Sequence, residues 1–391
     1  MTDDRGGGVA MNDPSEQPLN ILALEPYYGG SHRAFLDGWR AHSRHRWTVL
    51  SLPPHKWKWR MRHAAVTLAD QVAARLREGQ RWNAIFCSDM LNLAEFLGLA
   101  PQPLRSLPSI VYFHENQLTY PVRWESERDY QFVMTNLTTA LAASSVWFNS
   151  AFHRDSFLPA LTGFLKRMPD HQPLVAVDRI AVKSRVEHPG IDSPADRPPR
   201  PPGPLRILWA ARWEHDKNPE TFFEALDFLQ RENVAFRLSV IGERFRESPE
   251  IFDRAEKQFA PCIDRWGYQP TRDDYLAALG EADVIVSTAL HEFFGIAVIE
   301  ATAAGAYPLL PDRLAYPEVL SRDELPNADA FFYDGSAEQL ARKLIELARR
   351  IETGGTIWPA DPLPLRRAVG RYLWPNRAPC LDRALERVML P

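Results

Sequence analysis

Short apolar runs, of the kind found in buried parallel strands, alternate with amphipathic stretches along most of this 391-residue chain. Such a pattern predicts strands that are covered on both faces and connected by helices. The predicted strands are Ile21–Leu24, Trp47–Leu52, Ala84–Cys87, Ser109–Phe113, Val146–Phe148, Arg185–His188, Arg206–Ala210, Phe236–Ile241, Val284–Val286 and Ala306–Leu310. The predicted helices are Ala34–Trp39, Leu91–Leu99, Glu220–Gln230, Ile251–Ala260, Asp273–Leu279, Ile296–Ala304, Ala337–Arg350 and Ala378–Val388, with irregular chain at 165–180 and 355–365.

The alternation is interrupted once by proline. Residues 192–204, DSPADRPPRPPGP, hold six prolines, a density typical of a semi-rigid linker. The pattern on either side predicts an α/β protein with two facing Rossmann-like domains, residues 19–191 and 205–391, and a cleft between them. We expect that the last helix is able to pack back on the first domain. Residues 1–18 are polar and predict a disordered tail.

Composition narrows the function classes only modestly. The formal net charge of −4 gives no overall attraction to nucleic acid. The three cysteines, Cys87, Cys262 and Cys380, are far apart, which predicts free thiols in a reducing, cytoplasmic compartment. No run of about 18 apolar residues occurs, so we expect no integral membrane contact.

The segment Val284–Gly305 predicts a buried strand, a loop and a helix in succession. Ligands of parallel sheets bind beyond the carboxyl ends of the strands, and the N–H groups at a helix start attract phosphate. Glu292 and Glu300 lie eight positions apart here. Because carboxylates repel phosphate, we expect them to face hydroxyls, which points to a nucleotide sugar. The alternative is that both are ordinary surface glutamates, since this spacing also arises by chance.

Arg212 and Lys217 follow the first predicted strand of the second domain, which places them at the same sheet edge as Glu292. Two fixed cations there would stabilise a departing diphosphate. The chain contains no D-x-D, so we expect no metal site. The alternative is a surface pair with Glu214 and Asp216.

Two features of the first domain also follow strands. Gly29 and Gly30 come after the first strand, where glycine lets backbone approach a ligand; a tight turn explains them equally well. His114 ends the Ser109–Phe113 strand, where α/β proteins bind ligands, although the neighbouring helix is another way to hold it.

A basic and aromatic stretch, HKWKWRMRH, spans residues 55–63 and contains no acid. Cations that meet phosphates and rings that stack on unpaired bases suit an RNA ligand. The other interpretation is a solvated basic loop whose tryptophans pack on the core. The candidate RNA contacts are Lys56, Trp57, Lys58, Trp59, Arg60 and Arg62.

These segments resemble known families. LHEFFGIAVIEATAAG, AARWEHDKNP and HPGID are similar to segments of the retaining GT-B glycosyltransferases of the glycogen-synthase-like superfamily. EPYYGGSHRAF, KWKWR, YFHENQLTYPV, FNSAFHRDSF and MPDHQP together resemble the tRNA-queuosine α-mannosyltransferase family. The resemblance covers residues 20–320, and its motifs are long and rich in Trp, His and Tyr.

The resemblance implies a GT-B fold and a role for each matching residue. Glu300 would bind the ribose hydroxyls, and Glu292 the hydroxyls of the donor sugar. Arg212 and Lys217 would stabilise the diphosphate, and His114 would lie beside the anomeric carbon. Further donor contacts would come from Gly29 and Gly30 and from the backbone N–H groups of Phe293, Phe294, Gly295 and Ile296, and acceptor contacts from Asn116 and Gln117.

The implied reaction is transfer of mannose from GDP-mannose to the cyclopentenediol of queuosine in a tRNA anticodon loop, with no metal or other cofactor. One alternative is a GT-B transferase acting on a lipid or small-molecule acceptor, with the basic stretch meeting anionic headgroups. Another is a protein that binds RNA or a nucleotide sugar without catalysis.

Overall fold

The computed structural model describes residues 17–121, 129–195, 197, 199–245, 248–354, 356–358 and 361–390. The predicted tail, residues 1–18, lies outside these ranges except for Gln17 and Pro18, and so do Asp196 and Pro198 of the predicted linker.

The first domain is built on a parallel sheet with the strand order β2-β1-β3-β4-β5-β6. Strands β3, β4 and β5 are buried along their whole length, as their apolar runs require. The strands are β1 (Asn20–Glu25), β2 (Arg46–Ser51), β3 (Ala84–Ser88), β4 (Ser109–Phe113), β5 (Ser145–Phe148) and β6 (Ser184–Val186). The helices are α1 (Gly30–His42), α2 (Trp57–Arg77), α3 (Leu93–Leu99), α4 (Gln102–Arg105), α5 (Tyr130–Ala142), α6 (Ala151–Lys166) and α7 (Val175–Val182).

The second domain repeats this plan with the strand order β12-β11-β10-β7-β8-β9, again all parallel. Its strands are β7 (Leu205–Ala210), β8 (Phe236–Ile241), β9 (Ile263–Gly267), β10 (Val284–Val286), β11 (Tyr307–Pro311) and β12 (Phe332–Tyr333). Its helices are α8 (Pro219–Arg231), α9 (Ile251–Gln258), α10 (Arg272–Glu281), α11 (Ile296–Ala303), α12 (Tyr316–Val319), α13 (Ala337–Gly354) and α14 (Leu363–Gly370), and α15 (Trp374–Met389) closes the chain.

The order of the strands in each sheet places two of the loops at its carboxyl edge side by side. In the second sheet, β8 and β9 are added on one side of β7, and β10, β11 and β12 on the other. The strand order therefore reverses between β7 and β10, and the loops after these two strands meet at a switch point. In the first sheet the reversal lies between β1 and β3. The predicted pair of Rossmann-like domains is confirmed.

Several local predictions were wrong. The basic stretch contains the start of helix α2 rather than the loop of its alternative interpretation, α7 begins inside 165–180, and α14 begins inside 355–365. Helix α5 escaped prediction because its buried face is partly polar: Asn136 and Thr139 form hydrogen bonds with the loops after β3 and β4. These side chains obscure the apolar periodicity that marks an ordinary buried helix.

The last helix belongs in space to the first domain. Helix α15 packs on α1 and β4, with Trp374 against the backbone of Gly38 and Gly190. Asp382 accepts hydrogen bonds from the indole N–H of Trp39 at 2.8 Å and from the backbone N–H of Arg44 at 2.9 Å. The end of the chain therefore ties the second domain back to the first.

A second link holds the two domains in register beside the cleft. The carboxylate of Glu318, on α12, accepts hydrogen bonds from the first backbone N–H groups of α6, those of Ala151 at 2.8 Å and Phe152 at 3.1 Å. It also pairs with His188 Nε2 at 2.8 Å. Burial raises the pKa of Glu318, but these donors outweigh it and hold the pKa below its usual range. The helix start and the charged carboxylate thus stabilise each other across the domain boundary.

Candidate active site

A cavity of about 980 Å³ separates the carboxyl edges of the two sheets. The first domain lines it with the loops that follow β1, β3 and β4, and the second domain with those that follow β7, β8 and β10. This is where doubly wound sheets bind ligands.

Lys217 and Glu292 form an ion pair on the second-domain wall. Lys217 Nζ lies 3.4 Å from Glu292 Oε2 and 3.2 Å from Asp216 Oδ2, and it donates to the backbone oxygen of His291 at 2.8 Å. Burial lowers the pKa of Lys217, but the two carboxylates outweigh it and raise the pKa. Burial raises the pKa of Glu292. Lys217 and the backbone N–H of Phe294 outweigh this effect and bring the pKa of Glu292 below its usual value. Both groups are therefore charged at neutral pH.

The start of α11 has the geometry expected of an anion site, with one difference from the prediction. Gly295 has φ +85°, and a Cβ there would approach the Tyr316 ring to 2.9 Å, so both conformation and space favour glycine. Phe293 and Phe294 donate their N–H groups to Glu292 Oε1 at 3.0 and 3.4 Å. The N–H groups of the helix start itself, from Gly295 and Ile296 onward, have no partner within the helix and are oriented for a phosphate.

Glu300 lies deeper than the sequence suggested. It is buried on α11, where Oε1 accepts from Arg272 at 2.6 Å and Oε2 from the Tyr275 hydroxyl at 2.6 Å. Arg272 also reaches Asp192, in the linker, at 3.0 Å. A carboxylate has about four acceptor positions, so a ribose hydroxyl remains compatible with this network. Arg272 and Tyr275 escaped notice because nothing in their local sequence links them to Glu300.

Arg212 projects into the cleft and touches both domains. Its guanidinium donates to the Tyr120 hydroxyl of the first domain at 2.9 Å and lies 3.2 Å from Glu214 Oε2. The surface-pair alternative is thus partly correct, because Arg212 and Lys217 do pair with Glu214 and Asp216. Both cations nevertheless line the cleft.

On the opposite wall, a buried charged network supports His114. Glu25 Oε2 lies 3.3 Å from His32 Nδ1, and Glu25 Oε1 accepts from the Ser88 hydroxyl at 3.0 Å. The His32 ring packs on the His114 ring with centroids 4.0 Å apart, and Asp89 accepts from the His114 backbone N–H at 2.9 Å. Burial lowers the pKa of His32, but Glu25 outweighs it and raises the pKa to about 9. Burial and the neighbouring His32 hold the pKa of His114 well below its usual value, so His114 is neutral.

Glu25, His32 and Asp89 were not singled out from the sequence. The signal that could have found them is positional: Glu25 ends β1, His32 follows the glycine pair and Asp89 follows β3, all at the switch point. Glu25, His32 and His114 are also the one group of potential metal ligands within 4.8 Å of one another in the part of the chain that the structure describes. Glu25 forms an ion pair with His32 and accepts a hydrogen bond from Ser88, so two of these three residues already have protein partners.

Gly29 and Gly30 are glycine for different structural reasons. Both line the cleft. A Cβ on Gly29 would collide with Pro54, whereas Gly30 has φ +50° and open space around it. Gly29 is therefore explained by packing, and Gly30 by backbone conformation at the start of α1.

Two of the predicted acceptor contacts are corrected by burial. Asn116 is fully buried: its amide donates to Thr119 Oγ1 at 2.8 Å and contacts His153 Nε2 at 3.0 Å, so it builds the turn after β4. Arg60 is also buried, with Nε donating to Pro53 O at 3.0 Å. Neither side chain is placed to touch an RNA.

The other predicted acceptor residues lie at or near the cleft mouth. Gln117 and Trp57 line the cavity, and Trp57 packs on Phe132 with ring centroids 5.2 Å apart. The remaining side chains, Lys56, Lys58, Trp59 and Arg62, are exposed at the start of α2.

Comparison with known proteins decides the family. The model of the tRNA-queuosine alpha-mannosyltransferase N-terminal domain matches residues 20–191, and that of the group 1 glycosyl transferases matches residues 194–352. The tRNA-queuosine alpha-mannosyltransferase of Drosophila melanogaster is 33% identical over 345 residues, which cover 84% of this chain and 87% of the relative. The chain belongs to the tRNA-queuosine alpha-mannosyltransferase family. Members of this family are glycosyltransferases, and the cleft is accordingly its candidate active site.

Several more distant proteins are similar to this chain in sequence or in fold. Glycogen synthase of Mycobacterium tuberculosis is 27% identical over 222 residues, 53% of this chain and 52% of that enzyme. Anabaena HepE, solved with UDP and glucose, superposes with a TM-score of 0.64 at 14% identity, over 94% of this chain and all of that one. Sucrose-phosphate synthase of Thermosynechococcus elongatus gives 0.65 at 14% identity, over 95% and 99%. The GT-B fold is therefore confirmed. Among the described residues, no helix is both long and apolar enough to span a membrane.

Proposed function

We propose that this protein transfers mannose from GDP-mannose, with retention of anomeric configuration, to the cyclopentenediol of queuosine in a tRNA anticodon loop. The acceptor rests on the similarity to the Drosophila enzyme. The chemistry rests on one structural observation: Arg212, Lys217 and the start of α11 face a neutral His114 across a single cleft.

The second domain would bind the donor. Its diphosphate lies against the helix start of α11 and beside Arg212, the guanidinium whose present partners are Tyr120 and Glu214. The sugar hydroxyls donate to Glu292, and the ribose hydroxyls donate to Glu300. Breaking the anomeric C–O bond passes through an oxocarbenium-like transition state and places negative charge on the leaving diphosphate.

Lys217 and Arg212 stabilise that growing charge, so no divalent ion is required. The leaving phosphate oxygen takes the proton of the attacking cyclopentenediol hydroxyl on the same face of the sugar, which preserves the configuration. His114 is neutral and lines the cleft, so its imidazole can hydrogen-bond the sugar or the incoming hydroxyl and orient it. The ion pair of Glu25 and His32 fixes the position of the His114 ring.

The decisive experiment is to incubate the protein with GDP-mannose and total tRNA and to analyse the nucleosides by mass spectrometry. A hexose mass increment on queuosine, absent with tRNA that lacks queuosine, is the expected result. Parallel reactions with UDP-glucose test the donor, and a reaction in EDTA tests the metal independence. No increment on any nucleoside would remove tRNA as the acceptor.

A further inference from the structure

Beyond the cleft mouth, exposed aromatic and cationic side chains lie at or just beyond the ends of three helices of the first domain. The α2–α5–α6 surface consists of Lys56, Lys58, Trp59 and Arg62 at the start of α2, Tyr130 at the start of α5 and Arg167 just after α6. It is larger than the basic stretch recognised in the sequence, because Tyr130 and Arg167 come from distant parts of the chain.

Ring contacts hold this surface together. The Arg62 guanidinium lies 4.6 Å from the centre of the Phe132 ring and 3.8 Å from Asp129 Oδ2, and both contacts join α2 to α5. Tyr130 stacks on Phe164 with centroids 5.2 Å apart, and Arg167 lies 5.6 Å from the centre of the Tyr130 ring, which joins α5 to α6. The cations on either side of α5 are thus attached to a fixed aromatic framework.

Trp59 is the most exposed large ring of this surface, with 61% of its area open to solvent. One part of it rests on the His63 ring, with centroids 4.8 Å apart and planes inclined by 29°. A tryptophan that is supported from within the protein and open toward solvent is preorganised to stack on a planar ligand.

The surface begins at the cleft. Trp57, the first residue of α2, lines the cavity, while Lys56 and Lys58 on either side of it are exposed. A nucleotide whose base enters the cleft would therefore leave its neighbours and their phosphates against the start of α2.

We propose that the α2–α5–α6 surface docks the anticodon arm of the tRNA acceptor, an inference that rests on the proposed function. Trp59 stacks on an unpaired base next to the modified nucleotide, and Lys56, Lys58, Arg62 and Arg167 contact phosphates. Such a pairing of open rings with cations is what single-stranded RNA loops require. An anionic membrane would instead favour a broad apolar face that inserts, and here one ring protrudes among cations.

The test measures tRNA binding over a range of salt concentrations for the double variant Lys58→Gln/Arg167→Gln and for Trp59→Ala. The matched control is Arg75→Gln/Arg77→Gln, which removes the same charge from exposed arginines at the other end of α2. GDP-induced thermal stabilisation, measured for every variant, reports whether the donor site and the fold are intact.

We expect the double variant to raise the Kd for tRNA about tenfold. The negative slope of log K against log salt should become shallower by about 2, one for each phosphate that is no longer neutralised. Trp59→Ala should weaken binding by about 5- to 100-fold, as for the loss of a stacked base. The control should keep the wild-type Kd, and all variants should keep the GDP effect.

Three results would overturn the inference in distinguishable ways. If wild-type protein mannosylates tRNA while both surface variants keep its Kd and salt slope, the docking surface is wrong and the function stands. If wild-type protein neither binds nor modifies tRNA, the proposed function fails. If instead it binds phosphatidylcholine vesicles containing phosphatidylserine and the surface substitutions release it from them, the surface recognises a membrane.

Discussion

Replacing Lys217 with alanine removes a buried charge from the donor side of the cleft. Lys217 is 7% exposed, and its ammonium is held between Asp216, Glu292 and the backbone oxygen of His291. In the reaction it would face the negative charge that develops on the leaving diphosphate. The substitution therefore changes two quantities, the rate of the chemical step and the free energy of unfolding.

The two effects have different sizes. Loss of one preorganised electrostatic interaction of this kind lowers kcat by about 10²–10³, or roughly 3–4 kcal/mol of transition-state stabilisation. Removing one partner of a buried ion pair costs about 3–5 kcal/mol of stability, because Asp216 and Glu292 lose their counter-ion. Most of the turnover should be lost, and the fold should persist at a lower unfolding temperature. Binding of tRNA, which we assign to the first domain, should change little.

The assay is the single-turnover rate at saturating GDP-mannose and tRNA. Lys183→Ala is a suitable control, since Lys183 Nζ also donates to backbone oxygens, among them Leu141 O at 2.7 Å, but is only half-buried and lies away from the cleft. It should lower the unfolding temperature and keep the rate. A folded Lys217→Ala protein that reacts within tenfold of wild type would refute the role assigned to this lysine.

Three further predictions concern buried hydrogen bonds and ion pairs. Arg272→Ala should raise the KM for GDP-mannose about tenfold with a smaller effect on kcat, because Glu300 loses the donor at 2.6 Å that positions it. Asp382→Ala should lower the free energy of unfolding by about 2–4 kcal/mol, since the Trp39 indole N–H and other donors are left without an acceptor. His32→Gln should remove up to about 3 kcal/mol of stability below pH 6.5, the usual pKa of histidine, and progressively less as pH rises through 9, because the pKa of His32 is raised in the folded state.

Each of these predictions has its own check. Arg254→Ala, on an exposed position of α9, should leave the KM for GDP-mannose unchanged, and an unaltered KM in Arg272→Ala would remove its positioning role. Urea unfolding of Asp382→Ala would contradict the prediction if its midpoint matched wild type. For His32, the decisive measurement is the difference in unfolding free energy between the variant and wild type at several pH values, and a difference that stays constant from pH 6.5 to 9 would mean that the imidazole is not charged.

The local pattern of apolar residues was sufficient to predict most strands, because the apolar runs of these strands are uninterrupted. This pattern failed to predict α5, whose buried face is partly polar, and β9, an edge strand that is mostly half-exposed. Asn136 and Thr139 disguise α5, and β9, with the sequence IDRWG, shows no apolar run because its side chains are mostly half-exposed. In both cases the tertiary partners, rather than the periodicity, explain the element.

The sequence by itself determined the two α/β domains, the resemblance to the family and the residue types of the donor site, because these depend on short segments such as the one around Glu292. Only the tertiary structure decided which of the candidate side chains are free to meet a ligand. Arg60 and Asn116 carry suitable groups but are buried and already bonded. The pKa of His32 is raised chiefly because Glu25 lies against it. Burial and contacts between distant segments are properties of the folded chain alone.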